Sequence, residues 1–358
     1  ETEAREPCHY DVIVSPLRLE EAIKQCLSAE KIALTLFGDM GQESFHGDVM
    51  GIALSWQEGI GNYIPLGHDP ELFPEQLSQD YVLSTLKPIF ESNEIIKVVY
   101  DVKRQQTFLD GHSIALSGVQ RDLMLASYLL DPTRKSHQVN ALAGDFLAIK
   151  IPALEDVLGK GAKRIPFQAL SLADATQYAS EYIDCCMRLE KMVSAQLVGQ
   201  ELDALHDDLE LPLSMILGRM ERRGVSVDVG HLNNLSQNFT HELKEIEGLI
   251  YSAAGCEFNI SSPKQLSSVL FEKMGLPVVK RTKTGASTDH FVLETLSGEH
   301  EIAGLILQHR TISKLKNTYT DALPQLVNRK TGRIHTDFRQ TVTSTGRLSS
   351  NNPNLQNI

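Results

Sequence analysis

Over the first 200 positions, short apolar runs alternate with stretches of helical periodicity. Residues 10–14 (YDVIV), 31–37 (KIALTLF), 49–56 (VMGIALSW), 62–66 (NYIPL) and 95–100 (IIKVVY) read as strands. The second is almost continuously apolar, which predicts a central strand buried on both faces. Helical spacing of apolar positions occupies residues 16–27, 83–92, 121–130, 138–147 and the long stretch 171–197. This alternation predicts an α/β domain built on a mixed sheet with flanking helices.

From about residue 201 the strand signal ends. Apolar positions at helical spacing run over 205–223 and stop at Gly224, then over 227–254 and stop at Gly255. In "NISSPKQLSSVLFEKMG", Ser262 is placed to cap a helix, Pro263 to occupy its first position and Gly275 to end it. A further helix is expected over 302–326, and an extended segment returns only near "GRIHTDF". The second half is therefore mainly helical, without internal repeats or a low-complexity linker.

Composition changes this picture little. A length of 358 residues, 42% hydrophobic and 22% charged, fits two ordinary globular domains. The five cysteines (Cys8, Cys26, Cys185, Cys186, Cys256) show no CxxC spacing and no disulfide ladder. No apolar run approaches the roughly 18 residues of a membrane span. A reducing, cytoplasmic setting away from membranes is expected. The chain starts at Glu1 with an acidic segment, without an initiator methionine or a signal-like core, and ends on a polar run. Both ends read as cuts within a longer polypeptide.

Charge changes the picture more. The net charge of −12 argues against nucleic acid if taken whole. Its distribution does not: residues 1–200 carry 17 basic and 28 acidic side chains, whereas residues 264–358 carry 13 basic and 7 acidic. A basic C-terminal stretch beside an acidic body is what a local phosphate-binding face produces, although a cluster of solvated lysines gives the same count.

Candidate contacts concentrate in that stretch. A capped helix start at Ser262 leaves backbone N–H groups free for a phosphate, with Lys264 as an added charge. The loop "VVKRTKTGAST", with Lys283 and Thr284 near its centre, is suited to tracking a sugar-phosphate backbone, or is a solvated hairpin. Arg310 and Lys314, four residues apart, share a helix face that can grip a phosphate or simply stay solvated. Finally, "TGRLSS" and "NPNLQN" bring Arg347, Asn354, Gln356 and Asn357 within eleven residues. Arginine and carboxamides donate to the N3 and O2 acceptors that every base pair offers in the minor groove, so such contacts test pair shape rather than sequence.

With these motifs the whole chain resembles the A-family DNA polymerases, most closely the large fragment of the bacterial DNA polymerase I group. The resemblance is strongest in "LPLSMILGRMERRGVSVD", "FNISSPKQLSSVLFEKMGLPVVKRTKTGASTD", "KLKNTYTDALPQL" and "GRIHTDFRQTVTSTGRLSSNNPNLQNI". It implies a ribonuclease H-like 3′–5′ exonuclease-type domain over residues 1–200, a helical thumb over 201–328 and the start of a palm over 329–358. It also implies that Arg347 lies in the minor groove at the primer terminus, that Gln356 and Asn357 line the same region, and that Arg310 and Lys314 touch the duplex backbone. The partner implied is a primer–template duplex, bound by a monomer. Deoxynucleotides and Mg²⁺ are implied only for a parent chain that carries the palm aspartates and fingers, so these residues alone are expected to lack catalytic groups for synthesis and to need no cofactor.

By the same resemblance, proofreading domains hold two metals with four carboxylates. Here the four positions fall on Thr35, Phe37, Gln105 and Tyr182, none of which supplies a hard oxygen cage for a divalent ion. An inactive proofreading site that binds no metal is expected. Two alternatives remain: an active 3′–5′ exonuclease using a shifted set drawn from Asp39, Asp101 and Asp184, and a protein-interaction module using the acidic N-terminal domain.

Overall fold

The structure is a computed structural model and describes residues 8–39, 47–71, 73–283 and 285–356. Packing divides the chain into two units. The described residues up to Arg223, together with Asp337–Gln356, make the first, and Gly224–Thr336 makes the second.

The first unit opens with β1 (His9–Val12), α1 (Pro16–Ser28), β2 (Lys31–Asp39), β3 (Asp48–Ser55) and β4 (Ile60–Pro65), followed by α2 (Gln79–Glu91) and β5 (Ile96–Val99). Then come α3 (Val102–Asp110), β6 (Val119–Asp122), α4 (Leu123–Leu130), α5 (Val139–Leu147), α6 (Leu154–Leu158) and α7 (Leu172–Gly199). A short turn of helix, α8 (Asp203–Leu205), leads through a π-helical turn into α9 (Leu211–Arg223). The strands form one mixed sheet in the order β1-β4-β3-β2-β5-β6. β2 pairs antiparallel with β3 and parallel with β5, so it is central as its sequence predicts.

Burial on both faces of β2 follows from its alternation. Ile32, Leu34 and Leu36 pack with Leu19, Val82 and Phe90 of α1 and α2. Ala33 and Phe37 point the other way, into a core with Tyr178 and Ile183 of α7. α7 comes so close to β4 that a Cβ on Gly61 would sit 2.5 Å from the Ser180 carbonyl oxygen, so only glycine fits there.

All five expected strands are present, and the sheet has a sixth. Arg121 and Asp122, expected within a helix, end β6 instead, and Asp122 caps α4 by accepting from the Met124 and Leu125 N–H groups. "VQRD" is too short and polar to show strand periodicity. α3 also lacked a signal, because its apolar residues are confined to Val102, Phe108 and Leu109.

The second unit contains α10 (Val229–Ala254), α11 (Pro263–Ser267), α12 (His290–Ser297), α13 (Glu301–Leu315) and α14 (Ala322–Gln325). The caps anticipated from sequence form: Ser262 Oγ accepts from Gln265 N, and Gly255 and Gly275 adopt the left-handed conformation that stops a helix. α11 and α13 each run on into a π-helical turn. A small hairpin, Arg281–Thr282 with Gly285–Ala286, precedes α12. Ile246, Ile250, Leu270, Leu293 and Ile306 are among the side chains of the core these helices share. No helix among the described residues is long and apolar enough to cross a membrane.

α12 illustrates how a short helix is held. Its cap Asp289 accepts from Val292 N at 3.0 Å and pairs with Lys280 at 2.8 Å. Lys280, then the Val292 N–H, hold this carboxyl down at about 2, against an ordinary value of 3.8. A depressed carboxylate stabilises fully above its unfolded value and loses that contribution as pH falls through its folded value. Asp289→Ala should therefore lower the melting temperature of the second unit at neutral pH, with the gap to the parent closing between about pH 4 and pH 2. Melts at several pH values check this, and a pH-independent gap would exclude the ion pair as its source.

Candidate nucleic-acid interface and exonuclease-type site

In the first unit, the positions expected for metal-binding acids lie under α7. Thr35 and Phe37 are on the α7 face of β2, and the Thr35 hydroxyl is buried with no hydrogen-bond partner among the described residues. The Phe37 ring stacks on Phe167 at 5.4 Å and 3°, and meets Tyr178 and Tyr182 edge-on at 5.9 and 5.6 Å. Tyr182 also meets Tyr100 edge-on at 6.4 Å, and burial pushes its phenol far above the ordinary range. Gln105, on α3, spends its carboxamide on the backbone: Oε1 accepts from Leu36 N at 2.7 Å and Nε2 donates to Tyr100 O at 3.2 Å. Aromatic rings and a satisfied amide thus fill the space where oxygen ligands would converge, and these residues do not fit a divalent ion.

The neighbouring acids are committed elsewhere. Asp184 Oδ1 accepts from Gly59 N at 2.7 Å and Arg188 Nε at 3.0 Å, while Oδ2 accepts from the Tyr10 hydroxyl at 2.9 Å. Asp101 caps α3, accepting from Arg104 N. Asp122 accepts from Val102 N at 2.7 Å as well as from its own helix start, and burial pushes its carboxyl up to about 6. Among the described residues, no group of three or more His, Cys, Asp or Glu side chains is arranged to hold a metal ion.

In the second unit, three of the expected contact elements adjoin. Ser267 of α11 donates to Ala286 O of the hairpin at 3.1 Å, and Arg310 of α13 donates to Thr288 O, just beyond the hairpin, at 2.6 Å. Ser262 and Lys264 at the start of α11 and Lys283 at the hairpin turn are therefore tied to the helix that carries Arg310 and Lys314. Lys264, Lys283 and Lys314 are exposed, whereas Arg310 is half-buried and burial lowers its pKa. Lys316 faces inward, bonding Asp321 at 2.6 Å and Ser236 at 3.1 Å. Thr284 lies outside the described residues.

Asp337–Gln356 belongs to the first unit and is fastened to it at several points. Lys103 of α3 pairs with Glu221 at 2.6 Å and Asp337 at 3.1 Å, and Glu221 accepts from Phe338 N at 2.6 Å. Gln340 Nε2 donates to the Glu210 carboxylate at 2.6 Å. Two short strands, Asp337–Arg339 and Ser349–Asn351, then pair antiparallel, with Arg347 exposed on the connection between them. Gln356 folds back on this segment, accepting from Ser350 N at 3.1 Å and donating to Leu348 O at 2.9 Å. Asn354 accepts from Gln356 N at 3.0 Å, and Asn357 lies outside the described residues. Sequence reasoning passed over the anchors Lys103, Gln340 and Tyr128, whose partners lie more than a hundred positions away.

Comparison with known proteins agrees with this architecture. Residues 229–358 match DNA polymerase family A, and residues 68–178 match the ribonuclease H-like domain of DNA polymerase I. DNA polymerase I of Pseudomonas aeruginosa is 39% identical over all of this chain, which spans 40% of that protein. DNA polymerase I of Geobacillus stearothermophilus is 44% identical over 73% of the chain and 30% of its own length. A solved structure, the POL domain of Pol1 from M. smegmatis in complex with DNA primer-template and dNTP, superposes with a TM-score of 0.80 at 28% identity, covering 97% of this chain and 56% of that one. The chain thus spans less than half the length of these curated relatives. From the mixed sheet under α7, the helical second unit and the agreement of both family regions, it follows that the chain belongs to DNA polymerase family A.

Proposed function

We propose that this chain is the part of a bacterial replication and repair DNA polymerase that grips primer–template duplex and scaffolds the polymerase without proofreading. Residues 1–200 serve as a degenerate exonuclease-type domain, 201–328 as the thumb and 329–358 as the start of the palm. Arg347, Asn354, Gln356 and Asn357 face the minor groove, while Ser262, Lys264, Lys283, Thr284, Arg310 and Lys314 follow the phosphates. The observation that carries this reading is the superposition on a polymerase complexed with DNA primer-template and dNTP. On this reading, templated synthesis, deoxynucleotides and Mg²⁺ belong to a parent chain carrying the palm aspartates and fingers. The chain acts as a monomer in the cytoplasm.

The absence of proofreading rests on the rings around Phe37 and on the committed oxygens of Asp184. Hydrolysis through a shifted set of Asp39, Asp101 and Asp184 would need those oxygens free. The test is release of labelled nucleotide from a primer 3′ end with magnesium or manganese. No release above background is expected, and Asp184→Ala should leave that background unchanged. Metal-dependent release that disappears in Asp184→Ala would overturn the reading.

A further inference from the structure

The Thr343–Arg347 turn is braced by a side chain from outside it. The Tyr128 hydroxyl, at the end of α4, donates to Thr343 O at 2.7 Å and accepts from Gly346 N at 3.1 Å. These are the carbonyl and amide at the two ends of a tight turn, so one phenolic oxygen clamps both ends of it. Gly346 adopts φ 75°, where a side chain would be strained. The Thr343 hydroxyl donates to the Arg347 carbonyl oxygen, four residues on, at 2.6 Å.

The phenol is itself fixed. Tyr128 is only 4% exposed, and its ring meets His137 edge-on at 5.8 Å. His137 in turn bonds the Ser127 hydroxyl at 2.9 Å. A side chain rooted in the ribonuclease H-like part thus defines the backbone from which the exposed Arg347 projects.

We propose that Tyr128 is a positioning residue: it holds the Thr343–Arg347 turn in the one geometry from which Arg347 reaches the duplex. The inference rests on the proposed contact between Arg347 and DNA. It gives the exonuclease-type domain a role in duplex binding that needs no metal. The physical basis is pre-organisation. A polar turn released from its anchor samples many conformations, and apparent affinity falls in proportion to the fraction that remains competent.

The test uses Tyr128→Phe, which keeps the ring and removes both hydrogen bonds, with Arg347→Ala and the double variant. Two readouts are taken: affinity for a fluorescent primer–template, and amide hydrogen exchange over residues 343–347 without DNA. Tyr128→Phe should speed exchange at Gly346. It should weaken binding roughly tenfold in the parent background, as expected if the competent fraction falls to about a tenth, and hardly at all beside Arg347→Ala. Equal losses in both backgrounds would show that Tyr128 acts through general stability and overturn the proposal, as would unchanged exchange at Gly346. Parent-like binding by Arg347→Ala alone would instead defeat the groove contact, and the positioning role would fall with it even if exchange had quickened.

Discussion

Arg347→Ala should weaken binding of a primer–template by about 1–3 kcal/mol at moderate salt, roughly 5- to 150-fold in Kd. Arg347 is exposed on the connection between two paired strands, and that connection is fastened to the first unit by Tyr128, while Gln340 and Lys103 hold the chain leading to it. A backbone already held in place loses little entropy on binding, so more of the interaction between the Arg347 guanidinium and groove acceptors appears as affinity. The effect should differ in kind from removal of a phosphate contact. Lys264→Ala should flatten the salt dependence of binding by about one unit of log–log slope, and weaken all sequences alike. Equal affinity of Arg347→Ala and the parent would remove the groove contact from the account.

Phe37→Ala should cost about 3–5 kcal/mol of stability in the first unit. Phe37 is 7% exposed and joined to Phe167, Tyr178 and Tyr182, so truncation leaves a cavity that neighbours on a central strand and on α7 cannot easily close. Phe37→Glu should be no milder, because it would bury a carboxylate among aromatic rings. Placing one acid at this position should thus unfold the site rather than build a metal ligand. Denaturant unfolding followed by tyrosine fluorescence gives the number, and a loss below about 1 kcal/mol would mean that the ring is not part of the core.

Legibility in the sequence followed the physics of each element. β2 and α7 announced themselves because burial on both faces, or along one long face, demands a sustained apolar pattern. The caps at Ser262, Gly255 and Gly275 were visible because few residue types satisfy those backbone positions. β6 was not legible: four residues ending in the buried pair Arg121 and Asp122 are fixed by tertiary hydrogen bonds, not by periodicity. α12 was missed for a related reason, being eight residues long and held by the Asp289 cap and its ion pair.

The candidate site divides in the same way. That Thr35, Phe37, Gln105 and Tyr182 carry no carboxylate is plain from residue identity, but the aromatic packing around them required the fold. The dependence of the Arg347 turn on Tyr128 left no mark in the sequence, since the two are 215 and 218 positions apart where they bond.

Equilibrium binding of this chain to a fluorescent primer–template, titrated across salt concentration, tests the central claim most directly. The account expects saturable binding whose log Kobs falls with log salt by a slope of about −3.6, if Lys264, Lys283, Arg310 and Lys314 each neutralise one phosphate. Failure to bind the duplex even at low salt would contradict it.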